Sequence, residues 1–178
     1  MSEQKMVATV RNCPARRVPT GEPVTVPADS FVTITQSLGG NYTIVYGGNM
    51  LRVDGTDADA LGLEKTRLQF DDPGDDQIHE DQVWQALETV YDPEIPVSLP
   101  SLGLIYSLDI SQDKGAVTID MTLTAPGCGM GPLLMGDVEY RVKQVPNVKQ
   151  VQVNLVFDPP WSRDMMSEEA QLETGMFY

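Results

Sequence analysis

Val117-Thr118-Ile119-Asp120-Met121-Thr122-Leu123-Thr124-Ala125-Pro126-Gly127-Cys128-Gly129-Met130-Gly131-Pro132 is the stretch that decides the fold. Val117, Ile119, Met121 and Leu123 alternate with Thr118, Asp120 and Thr122, which predicts a strand with one apolar and one wet face. A glycine-rich loop follows. Pro132 then suits the first position of a helix, which Leu134, Val138, Val142 and Val145 carry to about Val145 with one apolar stripe. Strand, loop and helix in that order point to an α/β unit.

The flanks extend the pattern. Upstream, Leu104, Tyr106, Leu108 and Ile110 alternate and meet the first strand through a turn at Ser111–Gly115, giving a hairpin. Before it, Val83, Trp84, Leu87, Val90 and Tyr91 fall at helical spacing over Gln77–Tyr91, with Asp76 as N-cap and Asp92-Pro93 as the stop. Downstream, Val151, Val153, Leu155 and Phe157 predict a third strand, ending at Asp158-Pro159-Pro160. Ser167-Glu168-Glu169 opens a last short helix. The order α-β-β-α-β-α specifies an α+β fold: a small three-stranded sheet with helices on one face.

The first part of the chain has a different texture. Short β-prone runs occur at Met6–Arg11 and Phe31–Thr35. Tyr42–Tyr46 and Met50–Val53 flank Gly47-Gly48-Asn49 as a hairpin. Gly39-Gly40-Asn41 marks another turn, and Pro19-Thr20-Gly21 and Pro27 punctuate the early loops, so a small barrel or sandwich is expected. Asp54, Asp57 and Asp59 fail the calcium-loop spacing, with no Gly at the sixth position and no Glu at the twelfth, and read as a solvated loop. The acidic, Pro- and Gly-bearing segment Phe70–Asp76 joins the two textures. The expected organisation is a mostly-β N-terminal domain over 1–69, an acidic linker over 70–80 and the α/β domain over 81–178.

Charge narrows the partners. The net charge of −14 is concentrated late in the chain: residues 70–82 hold six acids and no Lys or Arg, and residues 83–178 hold thirteen acids against five bases. Such a chain repels phosphate backbones, so nucleic acid is excluded as a partner. No basic cluster suits an anionic membrane. No apolar stretch approaches the roughly 20 residues that span a bilayer, and the N-terminus lacks a signal-peptide pattern. Two cysteines 115 positions apart make no disulfide framework and read as free thiols in a reducing cytoplasm.

Cys128 is the residue placed for chemistry. Gly127 and Gly129 let the backbone approach a bulky ligand and leave the sulfur accessible. Free N–H groups at the helix start favour thiolate over thiol. The alternative is a small buried hydrophobe. His79, the single histidine, lies near the acidic linker and makes a poor partner for a cysteine nucleophile. With no convincing base, the chain does not read as an enzyme. Cys13, Cys128 and His79 give three soft ligands where a zinc ion or cluster wants four. A cluster on Cys128 would need ligands from a second copy of the chain, a partner or a small thiol. Asp92-Pro93-Glu94-Ile95-Pro96 puts two carboxylates around a rigid turn, either to support the glycine loop or simply as turn chemistry. Asp158-Pro159-Pro160-Trp161 ends the third strand, either as a structural stop or with Trp161 exposed for recognition.

Asp92-Pro93-Glu94-Ile95-Pro96, Leu102-Gly103-Leu104-Ile105, Met121-Thr122-Leu123-Thr124 with Pro126-Gly127-Cys128, and Phe157-Asp158-Pro159-Pro160-Trp161 together resemble the small α/β domain of PaaD-like proteins and cytosolic iron–sulfur assembly factors, over roughly 80–175. Asn12–Ala15, Ile34–Gly40 and Asp57–Gly62 resemble the N-terminal extension of the bacterial SufT type. The resemblance implies an accessory role in maturing iron–sulfur proteins, with no catalysed reaction of its own. It implies a loop cysteine at Cys128 as candidate ligand of a transient iron–sulfur cluster, supported by Asp92, Glu94, Gly127 and Gly129. The implied partners are assembly proteins and client apo-proteins, met at Asp158 and Trp161, with a homodimer as one source of further ligands. A pure adaptor that binds no cluster is the alternative.

Overall fold

The computed structural model describes residues 4–38, 41–66, 68–92, 97–124 and 131–174. The chain divides into two compact units, Met1–Leu68 and Gln69–Tyr178.

The first unit is built from β1 (Lys5–Ala8), β2 (Cys13–Arg17), β3 (Pro23–Val26), β4 (Phe31–Leu38), β5 (Asn41–Tyr46) and β6 (Asn49–Val53). They form one antiparallel sheet in the order β1-β4-β5-β6-β2-β3, with no β1–β3 ladder to close a barrel among the described residues. Register sets the core: Ile34, Ile44 and Leu51 are cross-strand partners, and all three are buried. The β5–β6 hairpin turns on Gly47 and Gly48 between paired Tyr46 and Asn49. β2 and β3 occupy what the sequence presents as early loops. Their prolines weaken the local strand signal, and Pro23 is tolerated because β3 is an edge strand. Nor do Asp54, Asp57 and Asp59 sit in a solvated loop. Asp54 caps a 3₁₀ turn over Gly55–Leu61 by accepting from the Thr56 N–H at 3.0 Å. Arg11 grips Asp59 through Nε at 2.9 Å and Nη2 at 2.7 Å, and reaches Asp57 at 3.1 Å. The guanidinium holds the Asp59 carboxyl below its ordinary range.

The second unit runs α1 (Glu80–Leu87), a one-turn α2 (Leu99–Leu102), β7 (Ile105–Ser111), β8 (Ala116–Met121), α3 (Gly131–Val142), β9 (Gln150–Leu155), a 3₁₀ turn (Arg163–Met165) and α4 (Glu168–Thr174). β8 is central, antiparallel to β7 and parallel to β9, so α3 is the crossover that parallel pairing needs. Val117, Ile119 and Met121 point into the core with Leu134, Val138, Val142 and Val145. The α+β unit with a three-stranded sheet and a mostly-β first unit are as expected.

Several details differ from the sequence reading, each for a tertiary reason. α1 starts at Glu80 rather than near Gln77, because Asp75, not Asp76, organises the entry: its carboxylate accepts from the Gln77 N–H at 3.0 Å and contacts His79 Nε2 at 3.0 Å. Gln112 then holds Ile78 outside the helix, accepting from its N–H at 2.7 Å and donating to its carbonyl at 2.8 Å. Thr122 is buried rather than wet; its N–H donates to the Leu104 carbonyl at 2.8 Å as the chain turns off the sheet. β9 ends at Leu155, and Phe157 is 41% exposed. Ser167 caps α4 as expected, accepting from the Ala170 N–H at 3.1 Å.

Gly103 joins α2 to β7 at φ +76°. A Cβ there would collide with the Met165 carbonyl and lie 2.9 Å from Met165 Cβ. Gly103→Ala is expected to cost about 2–3 kcal/mol, from left-handed strain plus overpacking. Gly74→Ala, at φ +74° with nothing within 4 Å, should cost only about 1 kcal/mol. Urea unfolding of the two variants checks this; equal losses would mean the Met165 contact carries no energy.

Candidate functional site

Two corners of the second unit carry the sequence-predicted residues. The first is the root of the glycine loop. It leaves from the central strand β8 and returns at Gly131, the first residue of the twelve-residue α3. The stems pack closely: a Cβ on Gly131 would lie 3.2 Å from Leu123 Cδ1 and 3.7 Å from Leu155 Cδ2. Thr122, fully buried beside them, has an Oγ1 without a hydrogen-bond partner among the described residues. An unmet buried hydroxyl costs about 1–3 kcal/mol. Gly127, Cys128 and Gly129 themselves lie outside the described residues.

Asp92 sits at the root of the acidic turn. Its N–H donates to the Val97 carbonyl at 3.2 Å, Tyr91 bridges Ser98, and the Leu99 N–H reaches the Val90 carbonyl at 2.9 Å. Asp92 is therefore nearly buried at a closed loop base, while Glu94 lies outside the described residues. Arg141, buried on α3, donates through Nη1 to the Thr89 carbonyl at 2.7 Å and ties that helix to the end of α1. The sequence reading missed it, because a lone arginine on a helix normally faces water.

Asp158 and Trp161 share the second corner. The segment after β9 folds back over α2 and β7. The Val156 N–H donates to Met121 O at 2.8 Å, the Tyr106 hydroxyl to Pro159 O at 2.8 Å, and the Ser167 N–H to Ser101 O at 2.8 Å. Trp161 is half-buried rather than exposed, and its indole N–H donates to Leu102 O at 2.7 Å. Beside it opens a shallow groove of about 650 Å³, floored by Tyr106, Val156, Pro159 and Met165 and flanked by Asp120 and Asp158. Asp120 belongs to the polar sheet face, where it accepts from Ser107 Oγ and Asn154 Nδ2, both at 3.0 Å. Sequence reading put Asp120 on the wet face. It did not connect it to Asp158, since the two meet only through the fold-back.

No group of three or more His, Cys, Asp or Glu side chains among the described residues is arranged to hold a metal ion. His79 is engaged with Asp75, whose carboxyl it holds below the ordinary range. Cys13 is fully buried, and desolvation, helped by the Asp57 charge, pushes its thiol up to about 11. Cys13 thus stays protonated near neutral pH and makes a poor ligand. In a Cys128→Ser background, iodoacetamide at pH 8 should leave native Cys13 unlabelled and alkylate it fully in urea, read by intact mass. Labelling of the native protein at the rate of a free thiol would contradict the burial.

The family model of the iron-sulfur cluster assembly protein matches residues 80–155. An Fe-S protein maturation auxiliary factor of Porphyromonas gingivalis is 51% identical over 96 residues, which are 54% of this chain and 90% of that protein. The Fe-S protein maturation auxiliary factor SufT of Staphylococcus aureus is 40% identical over 87 residues, 49% of this chain and 98% of that one. Among solved structures, a domain of unknown function, DUF59, from Bacillus anthracis superposes with TM-score 0.50 at 36% identity, covering 55% of this chain and 92% of that one. With relatives of this identity matched almost end to end, the chain belongs to the iron–sulfur cluster assembly protein family, in which the SufT-type maturation factors stand.

Proposed function

We propose that this protein is an accessory factor in iron–sulfur cluster assembly or transfer to client proteins, taking the cluster as cargo through Cys128. The remaining ligands come from another chain, a second copy being the simplest source. The observation that carries the reading is the donor count. Cys128 is the only cysteine between residues 80 and 155, the span that matches the family, and Cys13 is buried and protonated. A single thiolate in that span can hand a cluster on more readily than it can keep one. Gly131, three residues past Cys128 in the sequence, packs against Leu123 and opens α3, and a helix N-terminus supports a nearby thiolate. In this reading Asp92 and Glu94 are the supporting carboxylates, and Gly127 and Gly129 the small neighbours that leave space for the ligand. The Porphyromonas gingivalis and Staphylococcus aureus relatives are named as maturation auxiliary factors, in keeping with a role that needs no reaction of its own. A reducing cytoplasm is the setting that keeps such a thiol available.

A second reading, an adaptor that docks clients without holding a cluster, is favoured by the groove beside Asp158 and Trp161.

Anaerobic reconstitution of wild type and Cys128→Ser decides between them, through iron and sulfide counts, absorption spectra and native mass. The carrier reading expects a cluster on wild type alone, at the mass of two subunits, and loss of essentially all bound iron in Cys128→Ser with unchanged thermal unfolding. Equal loading of the two proteins, or none on either, removes it.

A further inference from the structure

We infer that the groove between β7 and the fold-back segment binds a short basic stretch of a partner protein, one apolar side chain on the groove floor and flanking lysine or arginine side chains against Asp120 and Asp158. The proposal rests on the docking role proposed above and adds the chemistry of the partner.

Three observations carry it. The floor of Tyr106, Val156, Pro159 and Met165 is largely apolar, and it is already fixed. The Tyr106 hydroxyl bonds Pro159 O at 2.8 Å, and Gly103 packs against Met165. A preformed floor spares a ligand the ordering cost that weakens binding to a loose one. Second, the lining holds two carboxylates and no lysine or arginine among the described residues. Among the described residues Asp120 accepts from the neutral Ser107 and Asn154, bonds that fix its position without countering its charge. Third, residues 69–178 carry nineteen acids against five Lys and Arg, the whole of the chain's net −14. That field draws a cationic segment to this unit and repels an acidic one. An ion alone does not suit the place, since two carboxylates over an apolar floor leave a metal short of oxygen ligands.

The test uses the full chain and a fluorescein-labelled hexapeptide with two lysines flanking a tryptophan–leucine pair, read by anisotropy at 0.1 M salt. A control peptide carries glutamine for both lysines. The lysine peptide is expected to bind wild type, and the control peptide roughly tenfold more weakly. Asp158→Asn should weaken the lysine peptide about threefold, and Asp120→Asn with Asp158→Asn about tenfold. The charge-matched pair Asp71→Asn with Asp113→Asn, in the linker and in the hairpin turn at the far end of β7, should leave binding unchanged. Amide shifts on titration should gather at Tyr106, Ser107 and Val156. No binding by wild type, equal weakening in the charge-matched pair, or shifts centred elsewhere would each overturn the groove. Because no cluster is present, failure here leaves the Cys128 reading standing. Loss of Cys128-dependent reconstitution with peptide binding intact removes the carrier and keeps the groove.

Discussion

The approach of the Met165 backbone to the α-carbon of Gly103 is the constraint on which the second unit depends. It is possible only without a side chain at 103 and only with φ in the left-handed region. Once made, it brings the chain after β9 across the α2–β7 junction. Trp161 can then bond Leu102, Tyr106 can bond Pro159, and Ser167 can start α4 against Ser101. Without that crossing there would be no groove, and Asp120 and Asp158 would belong to separate surfaces. The Leu102-Gly103-Leu104-Ile105 motif is thus a packing device whose effect is felt some sixty positions further along the chain.

Much of this unit was legible because its signals are periodic. β8 alternates without a break, α3 has a continuous apolar stripe, and Ser167 has acids behind it, so strand, helix and cap could be read locally. Where the reading failed, the deciding partner lies far away in sequence. Gln112 reaches back to Ile78 and shortens α1 from its start. Leu104 takes Thr122 off the wet face. β2 and β3, with a proline in each, gain their ladder only from each other and from β6. The site was legible to a different degree. Asp158 and Trp161 could be picked out as neighbours, but that the indole would be spent on Leu102 depends on a fold-back that no local pattern announces.

The two units solve the problem of charge in opposite ways. In the first, acids and bases balance, and they are knitted together: Arg11 holds Asp57 and Asp59, and buried Arg16 lies 3.9 Å from buried Asp54. Such pairs settle register more than they add stability, since burying charges costs much of what their attraction returns. In the second unit nineteen acids stand against five Lys and Arg, so the acids far outnumber the cations. That lowers stability somewhat through self-repulsion and keeps the unit from associating unselectively.

The position of β8 has a mechanical consequence. As the middle strand, it is laddered on both sides, antiparallel to β7 and parallel to β9. The segment that carries Cys128 leaves from its end. A tug on that segment along the strand axis would have to shear both ladders at once, whereas the same tug on an edge strand would peel one ladder bond by bond. A load on the end of β8 is therefore shared by two ladders, and the sheet resists it as a unit.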